Sequence, residues 1–271
     1  MYICIAGKNN IAVNSVEYIL QNKIIDKDNM LIIPNPDDNG KDTWQKSLKS
    51  YSMNNKLNIV TFDEIYSEKD LIFLSLECNK IIKTKKFISN KLYNIHFSKL
   101  PEYKGMYTSV LPILNGEEIT GVTLHKIDEG IDTGDIVDQI TFKIDINDTA
   151  RDLYFKYCDY AFELFKKNIE NIITNKVKSY RQSQVNSSYY SKKQIDFKNI
   201  NIDFNRTSFQ IHNQLRAYIF KEYQLPRING KNIVKTVLTS EKHQKSNYIE
   251  ERDDWFIITG IDRYIIIAYK E

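Results

Sequence analysis

The sequence YNIHFSKLPEYKG, residues 93–105, contains a short apolar run that ends on Asn94 and His96 and is followed by a loop with proline and glycine. Such a run is typical of a buried strand, and ligands of open α/β sheets bind beyond the carboxyl ends of the strands. A second polar segment, DEGIDTGD at residues 128–135, places Asp132 between two glycines. We expect this segment to return to the neighbourhood of the strand end, so that an amide, an imidazole and a carboxylate meet.

Short apolar runs alternate with helical or loop segments through the first half of the chain. The runs lie at residues 2–6, 30–33, 71–76, 93–96 and 120–127. This alternation predicts an α/β fold, with a mixed, mainly parallel sheet and helices on its faces.

The clearest helix is predicted for residues 147–175, with Asp148 or Thr149 as its N-cap and an apolar stripe at helical spacing. The stripe contains Leu153, Tyr157, Tyr160, Ala161, Leu164, Phe165 and Ile172.

A polar, serine-rich segment follows this helix and predicts a domain boundary near residue 180. We expect one domain at residues 1–180, which contains both motifs, and a small α+β domain at residues 181–271. The second domain is predicted to end in a β-hairpin, formed by the runs WFIIT and YIIIAY. These runs are apolar for an exposed edge, so we expect them to be covered or used for dimerisation.

The composition is that of an ordinary globular protein. Hydrophobic residues make up 42% and charged residues 27%, and a net charge of +3 without a basic block does not suggest nucleic acid as a partner. No apolar run approaches the roughly 18 residues of a membrane span. Three widely spaced cysteines predict a reduced, cytoplasmic protein, and four histidines without ligand spacing predict no metal site.

Asn94, His96 and Asp132 have the side chains that acyl transfer to an amine requires. The amide can donate to an oxyanion, the imidazole can exchange a proton near neutral pH, and the carboxylate can orient the charged ring. Taken alone, each motif is more often a turn at the end of a strand, and the combination favours catalysis. His125, on the run before the second motif, is either a packing or supporting residue or a substrate contact.

The segments NIHFSKLPEYKG and GVTLHKIDEGIDTGDIV (residues 94–105 and 121–137) resemble the signatures of the 10-formyltetrahydrofolate-dependent formyltransferases. The resemblance implies a Rossmann-like formyltransferase domain, with 10-formyltetrahydrofolate as the formyl donor and no metal. It implies that Asn94, His96 and Asp132 are the catalytic residues. It also implies that the folate ring lies along two segments, which consist of Ser75, Leu76, Glu77 and Cys78, and of Asp128, Glu129, Gly130, Ile131 and Asp132.

Resemblance to the sugar N-formyltransferases extends over nearly the whole chain, including DDNGKDTWQKSL (residues 37–48), SYYSKKQIDF (residues 188–197) and residues 209–231. It implies that the formyl acceptor is a dTDP-linked 3- or 4-amino-dideoxy sugar, such as dTDP-3-amino-3,6-dideoxyglucose, and that the product is a formylated sugar for surface glycans. It also implies a homodimer, in which residues 1–180 form the catalytic domain and residues 181–271 serve nucleotide contacts, dimerisation or both. The candidate sugar-nucleotide contacts are Lys8, Asn9, Tyr107 and Tyr223.

Two alternatives remain open from the sequence. The chain could be another folate-dependent formyltransferase that acts on methionyl-tRNA, although its near-balanced charge does not suggest RNA binding. It could also be a folate- or nucleotide-binding module without activity.

Overall fold

A seven-stranded sheet organises the first half of the chain in the computed structural model, which describes all residues from Met1 to Glu271. The first eight strands are β1 (Tyr2–Gly7), β2 (Met30–Pro34), β3 (Asn58–Ile59), β4 (Leu71–Leu76), β5 (Lys91–His96), β6 (Lys104–Gly105), β7 (Ile119–Lys126) and β8 (Ile136–Lys143). All except β6 form one sheet in the order β3-β2-β1-β4-β5-β7-β8. Neighbours among β1 to β5 pair in parallel and β7 runs antiparallel to β5, which confirms the predicted mixed, mainly parallel sheet.

The centre of this sheet is formed by strands that are buried along almost their whole length. Every residue of β4 is buried, and so is β1 from Ile3 onward. Cys4 of β1 and Phe73 of β4 belong to one apolar cluster, whereas Ile3 and Ile5 point to the opposite face and are also inaccessible to solvent. Continuous apolar runs are therefore required here, since a parallel strand in the middle of such a sheet is covered on both sides.

Six helices accompany the strands, and none has the length and hydropathy that a membrane span requires. They are α1 (Asn9–Gln21), α2 (Leu48–Asn54), α3 (Phe62–Ile65), α4 (Leu111–Asn115), α5 (Ala150–Ile173) and α6 (Ser208–Ala217), with short 3-10 turns at Lys27–Asn29 and Thr84–Lys86.

Helix α5 confirms the predicted long helix. Thr149 rather than Asp148 caps it, because the Thr149 hydroxyl accepts from the Asp152 backbone N–H at 3.2 Å while the Asp152 carboxylate accepts from the Thr149 N–H at 2.9 Å. The predicted apolar stripe is buried except for Tyr160, which is 38% exposed. The assignment of Tyr160 to the buried stripe was wrong, since it lies about 100° around the helix from its buried neighbour Ala161.

A second, antiparallel sheet forms the C-terminal part of the chain. The strands of this sheet are β10 (Arg227–Ile228), β11 (Lys231–Lys242), β12 (Ile249–Glu251), β13 (Trp255–Thr259) and β14 (Tyr264–Lys270). The two-residue strand β9 (Tyr189–Tyr190) is not part of it and pairs with β6. Their order is β10-β11-β14-β13-β12. Strands β13 and β14 are the predicted hairpin. The inner face of this sheet, including Phe256 and Ile266, packs in one core with α6 residues such as Ile211.

The chain separates into two compact units. One consists of residues 1–104, 121–141 and 157–189, and the other of residues 105–120, 142–156 and 190–271. This interleaved division differs from a single cut near residue 180, because two internal segments group with the C-terminal part. The roles predicted for the two domains stay predictions.

His212 on α6 is a fully buried histidine in the C-terminal unit. Its Nε2 donates to the Ile146 carbonyl at 2.7 Å, whereas its Nδ1 has no hydrogen-bond partner. Burial, together with the nearby positive charge of Arg216, lowers the pKa of His212 to about 4. Arg216 is itself buried and donates to the Asp145 and Asp148 carbonyls, which ties α6 to the segment before α5.

We predict that the neutral state of His212 makes the protein less stable in acid. Unfolded histidine titrates near 6.5 and folded His212 near 4, so the unfolded state binds more protons between these values, and the free energy of unfolding falls by about 3 kcal/mol as the pH drops through this window. Urea titrations at pH 7 and pH 4.5 measure this loss. His212→Asn should lose less stability on acidification than the natural protein; equal losses would contradict the assignment.

Candidate active site

The strand pair β5–β7 places two polar side chains of β5 on one face of the sheet. Asn94 and His96 lie two residues apart and therefore point the same way. In the antiparallel register Asn94 is opposite His125, and in the parallel register with β4 it is beside Ser75. The sequence placed Asn94 and His96 at a strand end, and the structure confirms that position.

Asp132 reaches this face by a reversal of the chain. Because β7 is antiparallel to β5, the loop that follows β7 begins beside the amino end of β5, where the Ile127 N–H donates to the Leu92 carbonyl at 2.9 Å. The loop then turns back, and Asp132 Oδ2 lies 3.5 Å from His96 Nδ1. The structure thus brings Asn94, His96 and Asp132 together; their catalytic roles stay predictions.

The other nitrogen of the His96 ring is engaged with the backbone. His96 Nε2 lies 2.9 Å from the Tyr103 carbonyl oxygen. A carbonyl oxygen only accepts hydrogen bonds, so Nε2 carries a hydrogen and Nδ1 is the nitrogen that can exchange a proton. The side chains of His96 and Asp132 are only 10% and 13% exposed, so their interaction is little screened by water.

His125 supports the site from the neighbouring strand. Its Nδ1 donates to the Lys126 carbonyl at 2.7 Å, so Nε2 of the neutral ring is an acceptor for the Asn94 amide at 3.0 Å. Asn94 Nδ2 also lies 3.4 Å from Asp132 Oδ1. His125 is 2% exposed, and these contacts favour the supporting role over a substrate contact.

The loop around Asp132 depends on close backbone contacts. Asp132 has a left-handed φ of 55°, which is unusual for a residue with a side chain. A Cβ on Gly134 would lie 1.8 Å from the Lys126 carbonyl oxygen, and one on Gly130 would lie 2.0 Å from the Thr133 hydroxyl. The glycines are therefore needed because the chain passes close to itself. Gln182, which the sequence analysis overlooked, donates to the Asp132 and Gly134 carbonyls at 2.8 Å each.

The two segments that the resemblance assigns to the folate ring lie at the carboxyl end of β4 and in the loop after β7. Leu76 is buried at the end of β4, and Glu77 follows with a left-handed φ of 57°. Burial raises the pKa of the Cys78 thiol. On the other segment Glu129 pairs with Lys85 at 2.9 Å, and Ile131 is 40% exposed. These folate contacts stay predictions.

The candidate sugar-nucleotide residues divide between the two units. Lys8 and Asn9 lie at the carboxyl end of β1, where Lys8 pairs with Asp37 at 2.8 Å and Asn9 donates to Glu77 at 3.2 Å. Tyr107 and Tyr223 belong to the C-terminal unit, where the Tyr107 hydroxyl donates to the Lys192 carbonyl and Tyr223 is 63% exposed. No group of three or more His, Cys, Asp or Glu side chains is arranged to hold a metal ion.

Comparison with known proteins identifies the class to which this geometry belongs. The formyl transferase domain family matches residues 67–169. Two crystal structures cover the whole chain with a TM-score of 0.97. The first is of WlaRD, a sugar 3N-formyl transferase in the presence of dTDP and 5-N-formyl-THF; it is 55% identical, with 97% of its chain covered. The second is of an N-formyltransferase from Helicobacter canadensis with folinic acid and dTDP-3-aminofucose; it is 54% identical and covered completely.

A curated relative, the bifunctional polymyxin resistance protein ArnA of Wigglesworthia glossinidia brevipalpis, is 33% identical over 162 residues, which are 59% of this chain. The chain spans only 24% of that protein's length. On the strength of the full-length matches, the chain belongs to the formyl transferase family and, within it, to the sugar N-formyltransferases. The family predicted from the two motifs is thereby confirmed.

We predict that Gly134→Ala destabilises the Asp132 loop, because the new Cβ has no space beside the Lys126 carbonyl. The free energy of unfolding should fall by about 3 kcal/mol, the upper end for overpacked sites, because the close contact is with backbone that cannot move aside easily. Gly230→Ala is the control: Gly230 has open space but a left-handed φ of 78°, so it should lose about 1–2 kcal/mol. Urea denaturation compares the two variants, and a smaller loss for Gly134→Ala would contradict the close-contact argument.

Proposed function

We propose that the chain transfers the formyl group of 10-formyltetrahydrofolate to the C3 amine of a dTDP-linked amino-dideoxy sugar, in the biosynthesis of formylated sugars for surface glycans. The observation that carries this proposal is the similarity along the full chain to two sugar N-formyltransferases, at 54–55% identity. One is a sugar 3N-formyl transferase and the other was crystallised with dTDP-3-aminofucose. Acceptors such as dTDP-3-amino-3,6-dideoxyglucose belong to this class.

His96 and Asp132 are suited to the proton transfers of this reaction. As the sugar nitrogen bonds to the formyl carbon it must lose a proton, and as the bond to the folate nitrogen breaks that nitrogen must gain one. The proton passes through the His96–Asp132 pair, in which Nδ1 faces the carboxylate at 3.5 Å and Nε2 is held by the Tyr103 carbonyl. Asn94 Nδ2 donates to the formyl oxygen as negative charge develops on it.

The predicted folate segments fit a flat, partly apolar ring. Ser75 lies beside Asn94 in the sheet, which brings the first segment to the catalytic strand. Ile131, which is 40% exposed, offers apolar surface on the second segment next to Asp132. When bound there, 10-formyltetrahydrofolate supplies the formyl group. Much of the acceleration comes from holding this donor and the sugar amine in contact.

A panel of acceptors tests the proposal. The protein is incubated with 10-formyltetrahydrofolate and, separately, with dTDP-3-amino, dTDP-4-amino and UDP-amino sugars and with methionyl-tRNA. Mass spectrometry should detect a formyl group on the dTDP-3-amino sugar, formed faster than any other product. Preferential formylation of the 4-amino sugar would overturn the C3 assignment, formylation of methionyl-tRNA alone would overturn the acceptor class, and no product from any acceptor would favour the binding-module alternative.

Variants of the catalytic residues complete this test. His96→Asn and Asp132→Asn should each reduce kcat by about 10²–10⁴-fold, since each removes one member of the proton-transfer pair. Circular dichroism checks that the variants are folded. His243→Gln, in a polar segment of the C-terminal unit, is the matched control and should keep the natural rate. A folded His96→Asn variant with near-natural turnover would contradict the assignment.

We also propose that the chain is a cytoplasmic homodimer whose copies meet through the C-terminal sheet. All three cysteines are free thiols, which fits a reducing compartment. The outer face of β13 and β14 carries cross-strand pairs such as Trp255 with Tyr269 and Ile257 with Ile267. An apolar outer face on a sheet whose inner face already forms a core favours a second copy as its cover.

Sedimentation equilibrium tests the dimer. Ile267→Lys places a charge in the middle of the outer face and should increase the dissociation constant by at least tenfold. Ile261→Lys is the control, since Ile261 is 56% exposed in the turn between β13 and β14 and lies outside the face. If the natural protein is a monomer, or if both variants dimerise equally, the proposed interface is wrong.

A further inference from the structure

Residues 180–188 follow the long helix and have the composition of a linker, yet they contact both catalytic loops. We call this segment the strap. At its start Tyr180 exchanges two backbone hydrogen bonds with Ile136 at the beginning of β8, at 2.8 and 2.9 Å. At its end Ser188 donates its N–H to the Pro101 carbonyl at 3.2 Å. The strap therefore spans from the loop that carries Asp132 to the loop that follows His96, within one compact unit.

Gln182 in the strap fixes the backbone of Asp132. Its Nε2 donates to the carbonyl oxygens of Asp132 and Gly134, both at 2.8 Å. Asp132 has a left-handed φ of 55°, a conformation that costs a residue with a side chain about 1–2 kcal/mol. Such strain persists only where surrounding contacts hold it. The two hydrogen bonds from Gln182 are contacts of this kind.

Ser188 in the strap binds the backbone of Tyr103 and Lys104, on the Nε2 side of the His96 ring. Its hydroxyl accepts from the Tyr103 N–H at 2.8 Å, and its carbonyl accepts from the Lys104 N–H at 2.9 Å. Tyr103 also has a left-handed φ, of 56°. The carbonyl of Tyr103 is the group that holds His96 Nε2 at 2.9 Å. Ser188 thus stabilises the residue that orients the imidazole.

We propose that the strap positions the catalytic pair: Gln182 sets Asp132 on the Nδ1 side of His96, and Ser188 sets Tyr103 on the Nε2 side. Each of the two groups that hold the imidazole is a strained residue, and each is bound by one strap side chain. Gln182 and Ser188 are positioning residues, because they act through Asp132 and Tyr103. A displacement of about 1 Å in such a site can reduce the rate about a hundredfold. The kinetic test of the strap rests on the proposed function, because it measures formyl transfer to a sugar acceptor.

The first experiment removes the Gln182 hydrogen bonds without adding charge. Gln182→Met keeps the length of the side chain and loses its donor. Gln184→Met is the matched control, since Gln184 is exposed in the same segment. We expect Gln182→Met to reduce kcat for the best sugar acceptor at least tenfold and Gln184→Met to keep it within twofold. Ser188→Ala should also reduce kcat, with Ser183→Ala as its control, because the Ser183 hydroxyl accepts only from the nearby Val185 N–H.

A spectroscopic measurement separates positioning from general loss of structure, and from failure of the proposed function. In protein labelled with ¹³C-histidine, four imidazole resonances are expected, and His96→Asn identifies the one that belongs to His96. Gln182→Met should move this resonance, and that of His125, whose Nε2 lies 3.6 Å from Asp132 Oδ1, while the resonances of His212 and His243 stay unchanged and show that the rest of the protein is folded. The proposal is overturned if the His96 resonance does not move, or if it moves while kcat stays within twofold. If no acceptor is formylated, the proposed function fails, and the movement of the His96 resonance alone decides whether the strap sets the pair.

Discussion

The contact between His96 Nδ1 and the Asp132 carboxylate, 3.5 Å apart and largely shielded from water, is the constraint on which the site depends. The two residues come from different segments, and the chain reaches this contact only by reversing direction after β7. That reversal requires a left-handed Asp132 and two glycines that pass close to neighbouring atoms. The backbone of this loop is therefore strained, and this strained conformation allows the contact between His96 and Asp132 to form. Strained backbone of this kind is expected at a functional site.

The antiparallel pairing of β7 with β5 explains the other members of the site. It puts His125 opposite Asn94, so one strand supplies the amide and its neighbour supplies the acceptor that orients it. A parallel neighbour would have placed the loop after β7 at the carboxyl end of β5 directly, without the reversal. The mixed sheet thus determines both where Asp132 comes from and why its loop needs support from elsewhere in the chain.

The sequence was sufficient for the fold class and for the proximity of Asn94, His96 and Asp132, whose catalytic roles stay predictions, because apolar alternation and two adjacent motifs are local signals. The sequence did not predict the contacts of the strap, because a linker and a segment whose side chains donate to distant carbonyls can have the same polar, serine-rich composition. Gln182 acts on residues about fifty positions earlier, and no local pattern reports such a contact. Tyr160 was misplaced for a related reason: it is adjacent in sequence to a buried residue, and its exposure is decided by the angle around the helix. The interleaving of the two units likewise depends on long-range contacts.

The hydrogen bonds of Asn94 suggest how the site distinguishes the transition state from the bound substrate. Both N–H groups of its amide already face protein acceptors, His125 at 3.0 Å and Asp132 at 3.4 Å. The longer bond is the weaker one, so it is the one that a reacting oxygen can replace. A neutral formyl oxygen competes poorly with a carboxylate for this N–H, whereas an oxygen that has gained negative charge competes well. In the proposed reaction Asn94 would therefore stabilise the reacting state more than the ground state, which is the condition for an interaction to increase kcat.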